Sequence, residues 1–382
     1  MKVKVSRRGE VPPFYAMEVL REANERAAAG EQVLHLEVGQ PGSAAPSAVI
    51  AAAKQALDSH QLGYTEALGI GDLRRRIAAH YQDMYGLDVD PARIVVTTGS
   101  SGAFLLAFLA AFDHGDRVAL AAPGYPAYRN ILRALGLEPV SIATVVGTRF
   151  QPTVAHLEAL NPPVQGLIVA SPSNPAGTML SRAELGALYA YCRDRGIRFI
   201  SDEIYHGITY GEPAASALAF GDAAIVVNSF SKYFSMTGWR LGWMILPDEL
   251  LRPAERLAQN LFISPPTLPQ LAAQAVFGCK AELQGNVRRY AENRRILLQQ
   301  LPRAGFDDLA PADGAFYIYA DVSRLTNDSQ EFCRRMLAET GVAATPGIDF
   351  DPERGHRFVR FSFAGATADI ATAAERLIAW RR

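Results

Sequence analysis

Cysteine is scarce in this 382-residue chain, where Cys192, Cys279 and Cys333 are odd in number and far apart. That excludes a disulfide framework, matches no metal-ligand spacing, and reads as plain thiols in a reducing cytoplasm. Neither sign of charge predominates. With 38 Lys and Arg against 39 Asp and Glu the net charge is −1, so no global field favours nucleic acid or an anionic membrane. No apolar run approaches the roughly 18–20 residues of a membrane span, and no apolar signal core follows the charged start Met1-Lys-Val-Lys-Val-Ser-Arg-Arg8. The seven histidines are scattered and offer no metal cluster. Internal repeats and low-complexity tracts are also missing. The remainder, 49% hydrophobic and 20% charged, suits a large core: one α/β domain with a smaller companion, or two to three domains.

Residues 46–290 alternate helix and strand patterns. Helices are predicted at Pro46–Ser59, Gly71–Tyr85, Ser100–Phe112, Tyr125–Ala134 and Ser181–Arg195. Short β-branched or apolar runs predict strands at Arg93–Thr98, Arg117–Ala121, Gly166–Ala170, Ile197–Ser201 and Ala224–Asn228. Such alternation predicts an α/β fold with a mostly parallel central sheet flanked by helices. After about residue 290 the pattern becomes a smaller α+β unit. It has antiparallel-looking strands at Gly314–Ala320 and Arg357–Phe363 and helices at Asp328–Thr340 and Ala366–Arg381. A long helix, Cys279–Leu301, bridges the two. The first 45 residues, with a helix at Tyr15–Ala29 and a strand at Val33–Val38, are expected to join the smaller domain. The expected division is therefore 46–290 against 1–45 with 291–382.

Four loops at predicted strand ends carry the chemistry. The richest runs from Asn228 to Trp243 and holds Ser229, Ser231, Lys232, Arg240 and two glycines. A lone lysine is ordinarily a solvated cation. Here it stands beside hydroxyls and a guanidinium, which together suit a cofactor with an aldehyde for the amine and a phosphate for the grip. Thr97-Thr-Gly-Ser-Ser-Gly102 opens directly into a helix, where amides and the helix dipole favour an anion. An ordinary N-cap serine is the plain alternative. In Ala170-Ser-Pro-Ser-Asn-Pro-Ala-Gly-Thr178 two prolines fix Asn174, although Asn-Pro is also a common loop dipeptide. Ser201-Asp-Glu-Ile-Tyr-His206 puts a carboxylate at a strand end, where burial demands a partner such as a protonated ring nitrogen. The plain reading there is a helix cap by Asp202. Ligand sites in open α/β sheets form at these carboxyl ends.

Over nearly its whole length the chain resembles the class I/II pyridoxal-phosphate-dependent aminotransferases, the aspartate aminotransferase superfamily. The resemblance rests on Gly39-Gln-Pro-Gly42, Gly63-Tyr-Thr-Glu-Ala-Leu-Gly-Ile70, Ser173-Asn-Pro-Ala-Gly177, Ser201-Asp-Glu-Ile-Tyr205, Ser229-Phe-Ser-Lys232 with Gly238-Trp-Arg-Leu-Gly242, and Val359-Arg-Phe-Ser-Phe363. It implies pyridoxal 5'-phosphate as cofactor and amino acid and 2-oxo acid substrates. Lys232 would form the Schiff base and act as the proton-shift base, while Asp202 would keep the pyridine nitrogen protonated. Tyr205 and Asn174 would bond the phenolic oxygen. Ser100, Ser101, Ser229 and Arg240 would clamp the phosphate, and Tyr125 would stack on the ring. Tyr64 would reach the phosphate of a neighbouring subunit, which implies a homodimer with shared sites. Arg360 would pair with the substrate carboxylate, aided by Asn174 and the backbone at Gly39.

Relatives that act on aspartate often have a lysine where this chain has Ser101. The side-chain pocket expected from Phe14, Tyr15, Val38, Tyr125 and Phe316 is apolar and aromatic. A neutral or aromatic donor is therefore expected, with 2-oxoglutarate or pyruvate as acceptor. A carbon–sulfur β-lyase would use the same cofactor and lysine, but related lyases often have histidine at the position of Tyr205. A non-catalytic sensor domain would need a DNA-binding unit, and no basic recognition helix is apparent in the 30–45 residues before the motifs.

Overall fold

The computed structural model describes residues 3–59 and 61–381; the first two residues of the charged start lie outside them. Seven strands form the main sheet: β1 (Ile94–Thr97), β2 (Arg117–Ala122), β3 (Glu138–Ala143), β4 (Gly166–Ala170), β5 (Arg198–Asp202), β6 (Ile225–Ser229) and β7 (Gly242–Ile245). Their spatial order is β1-β7-β6-β5-β4-β2-β3. Neighbours are parallel except β7, which runs antiparallel to both β1 and β6. Strands β1, β4, β5 and β6 therefore all end on one edge of the sheet. The central strands are buried on both faces, which explains continuous apolar runs such as Leu167-Ile-Val169.

Local chemistry sets the flanking helices. Arg182–Asp194 starts from a reciprocal cap between Ser181 and Glu184. Pro126–Leu135 begins with proline in its first turn, where no amide partner is needed. After its serine-bearing first turn, Gly99–Ala111 is apolar and packs into the core. In the main sheet β3 and β7 lie outside the sequence expectations, as do the helices Val154–Glu158, Asp248–Leu261 and Thr267–Ala273 and the short strands Asp308–Leu309, Val342–Ala343 and Thr345–Pro346.

A second sheet has four antiparallel strands in the order Thr345–Pro346, Phe358–Ser362, Tyr317–Asp321, Asp308–Leu309. Its register sets Tyr319 opposite Arg360 and Tyr317 opposite Ser362. Helices Ser329–Thr340 and Thr367–Arg381 accompany it, and Lys280–Gln300 packs on the latter. The strand expected over Val33–Val38 is only Leu34–His35, paired with Val342–Ala343. Beyond it the chain turns inward, so Glu37 and Gly39 meet side chains from elsewhere in the fold. Among the described residues no helix is long and apolar enough to cross a membrane.

Candidate active site

The four loops chosen from sequence leave the same edge of the main sheet and converge. Asp202, the last residue of β5, is buried. One oxygen accepts from the Ile204 amide at 3.1 Å and the other from the Tyr128 hydroxyl. Burial raises its pKa to about 6, against the pull of those two donors and of the Lys232 amine. Lys232, just beyond β6, is half-buried, and its Nζ donates to the Gly39 carbonyl at 2.5 Å. It lies 5.8 Å from the centroid of the Tyr205 ring. Burial, with help from the Arg360 and Arg240 cations, lowers the amine to about 8; Asp202 opposes the shift. A lysine lowered this far carries much more free, nucleophilic amine at working pH than an ordinary one.

Arg360 is 2% exposed. Its guanidinium donates to Asn174 Oδ1 at 2.9 Å, Thr345 Oγ1 at 3.1 Å and the Glu37 carbonyl, while Nε is buried without a partner. The Tyr317 and Phe350 rings lie 4.4 and 4.8 Å from its centre. Every hydrogen-bond acceptor is neutral, and among the described residues Arg360 makes no ion pair. A cation desolvated in this way is costly unless an anion joins it.

The candidate anion cradle lies at the ends of β1 and β6. Helix Gly99–Ala111 starts directly after β1 and presents half-buried Ser100 and exposed Ser101 in its first turn. Ser229 bonds the Ser231 hydroxyl at 2.9 Å, and Arg240 reaches the Thr237 carbonyl at 2.9 Å and Ser231 at 3.4 Å. Gly99 has φ +68°, and a Cβ there would stand 2.5 Å from Arg240 Nη2. Glycine thus lets the guanidinium rest against the helix N-terminus. Among the described residues Arg240 has no acidic partner.

Lys232, Gly39, Tyr205, Arg360 and Asn174 join in one chain of contacts through Tyr317, and Tyr128 joins Asp202 to Tyr125; Ser229 and Arg240 both meet Ser231, and Arg240 rests against the helix end that carries Ser100 and Ser101. Tyr125 meets Tyr128 edge-on at 5.2 Å and Phe14 at 5.8 Å. Tyr64 stays apart, 83% exposed in a depression shared with Thr98 and residues 262–267. Phe316 is fully buried, edge-on to Tyr205 and Tyr317, and backs the site instead of lining its mouth. Sequence reasoning missed Tyr128 and Tyr317. Tyr128 follows Tyr125 by one helical turn, a spacing that puts both on one face; Tyr317 lay inside the predicted strand Gly314–Ala320 with nothing to separate it from core packing.

A parallel-rich α/β sheet whose crevice joins a softened lysine, a buried acid, an anion cradle and an unpaired arginine defines a site for group transfer on an anionic substrate. The family model for aminotransferase class I and II matches residues 31–377. A valine–pyruvate aminotransferase from Mycobacterium tuberculosis is 53% identical over 100% of this chain and 99% of its own. A crystal structure of an aminotransferase from the same organism superposes with TM-score 0.98 at 53% identity, covering 99% of each chain. The aspartate aminotransferase of Thermus thermophilus, solved with maleate, gives TM-score 0.92 at 29% identity over 99% of this chain and 100% of its own. The chain belongs to the class I and II aminotransferase family. It is a transaminase with the aspartate aminotransferase fold, moving an amino group from an amino acid to a 2-oxo acid.

Proposed function

We infer that this transaminase uses pyridoxal 5'-phosphate between Lys232 and Asp202, takes a neutral aliphatic amino acid as donor and uses pyruvate as acceptor. The observation that carries the reading is Arg360, a buried cation with only neutral hydrogen-bond acceptors, linked through Tyr317 and Tyr205 to the lysine.

The residues fit the cofactor. Ser100, Ser101, Ser229 and Arg240 supply hydroxyls, a helix N-terminus and a forked donor for the phosphate. Asp202 supplies the acid for a ring nitrogen, and Tyr125 an aromatic face. When bound, the cofactor supplies an electron sink for the Cα–H bond. Lys232 Nζ would hold the cofactor's aldehyde and would be the base that moves the substrate's Cα proton. Asp202 would hold a proton on the facing ring nitrogen. Asn174 accepts from Arg360 through Oδ1, which leaves its Nδ2 free to donate to the phenolic oxygen together with the Tyr205 hydroxyl. Arg360 fixes the substrate carboxylate and so aims Cα at Lys232.

The donor assignment draws on the printed activity of the Mycobacterium tuberculosis relative, on serine at 101, and on the aromatic pair Phe14 and Tyr125. Residues 46–290 would form the cofactor domain, with 1–45 and 291–382 as the smaller one. A second copy of the chain would supply Tyr64, making a homodimer. Three free thiols, Cys192 and Cys333 buried, suit the cytoplasm.

The test mixes the cofactor-loaded protein with each common amino acid and follows its visible absorption. Valine should bleach the band, and pyruvate should restore it with formation of alanine. A response to dicarboxylic amino acids but not to valine would overturn the donor assignment. Pyruvate and ammonia released without an acceptor would replace transfer by β-elimination.

A further inference from the structure

Tyr317 occupies a junction that the proposed chemistry leaves unused. Its hydroxyl is 2.7 Å from the Tyr205 hydroxyl, and both residues are buried. Its ring lies 4.4 Å from the Arg360 guanidinium. A Cβ added to Gly39, whose carbonyl holds Lys232, would overlap the Tyr317 hydroxyl. One phenol therefore touches the ring-oxygen donor, the carboxylate anchor and the segment that receives the lysine.

A phenol carries one proton. If Tyr205 directs its own toward the cofactor's phenolic oxygen, its oxygen can only accept from Tyr317. We propose that Tyr317 is a positioning residue for transamination: its hydroxyl donates to Tyr205, turns the Tyr205 proton toward the cofactor and strengthens that bond. The inference rests on the placement of the cofactor between Lys232 and Asp202. Donor–donor chains polarise one another, so the end member becomes the better donor. The nearby charges are divided. Burial raises the pKa of both phenols most, and Tyr317 and its hydrogen bond raise that of Tyr205 further; Arg360 pulls both down, and Asp202 adds to the rise at Tyr205. Burial holds both phenols neutral, which keeps a proton on each to pass along the chain.

The test is Tyr317→Phe in the full, cofactor-loaded chain, read by pH titration of the visible absorption. Phenylalanine keeps the ring under Arg360 and removes only the hydroxyl. The midpoint should rise by about half to one pH unit, the equivalent of one lost hydrogen bond that favoured the anionic oxygen. In a Tyr205→Phe background the second change should add nothing. An unchanged midpoint, or an equal shift in both backgrounds, overturns the proposal. Lys232→Ala is the separate control: if it keeps the wild-type band, the cofactor placement fails, whereas a band lost in Lys232→Ala but unmoved in Tyr317→Phe defeats only the role of Tyr317. Far-ultraviolet circular dichroism checks that each variant is folded.

Discussion

Arg360 illustrates how a residue that is costly for stability can suit a proposed role in binding substrate. The fold holds its guanidinium between two aromatic faces, bonds it to neutral oxygens and leaves Nε without a partner. Arg360→Ala should therefore weaken valine binding by about 100-fold, from the roughly 2–5 kcal/mol that truncating a buried charged partner costs. The cofactor should stay bound, since its contacts lie on the other sheet. Spectral titration with valine measures both quantities, and unchanged affinity would remove Arg360 as the carboxylate anchor. This residue was legible because Phe358-Val359 and Phe361-Ser-Phe363 mark a buried strand, and an arginine inside one is out of place unless something pairs with it. Asp202 was legible for the same reason. Tyr128 and Tyr317 were not, because tyrosine is at home on a packed helix or strand and its hydroxyl partner depends on tertiary contacts.

At the scale of elements, the N-terminus of helix Gly99–Ala111 is built around one backbone conformation. Gly99→Ala should strain a residue at φ +68°, costing about 1–2 kcal/mol, and should push the Arg240 guanidinium off the helix end. Cofactor affinity is expected to fall about tenfold, measured by fluorescence titration of the cofactor-free protein; full affinity would mean that Arg240 and the helix end do not act together. The strands that carry site loops were found from sequence, since β-branched runs followed by Ser, Asn or Gly are strong signals. Two others in the main sheet escaped. Strand β3 contains Pro139, which suits only an edge position. Strand β7 has four residues and follows directly on the Arg240 motif, so its apolar run read as part of the loop.

For the whole molecule, the unabsorbed feature is Tyr64 with its surroundings. Thr267 donates to the Gly63 carbonyl at 2.6 Å, which brings residues 62–64 against 262–267. Tyr64 (83%), Leu261 (49%) and Ile263 (53%) lie exposed there. Ile263 also has φ 66°, an unusual conformation for a β-branched residue. Solvent exposure of such side chains fits a face covered by a second copy. Ile263→Lys should convert a dimer to monomers in sedimentation equilibrium and reduce cofactor retention, because Tyr64 would no longer reach its neighbour. A wild-type chain that sediments as a monomer would remove the shared site. The sequence pointed to this tyrosine by motif alone. A second copy that covered it would leave no intrachain pattern to read.

Strand β7 runs against its neighbours, and that reversal has a consequence for how the two proposed ligands would be held. The segment from Lys232 to Arg240 is pinned at both ends by adjacent strands of a single sheet, so the span from amine to guanidinium behaves as a fixed gauge. Arg360 sits on the other sheet and answers to different packing. On the proposed placement, slippage between the sheets would alter the hold on an incoming amino acid more than the hold on the cofactor.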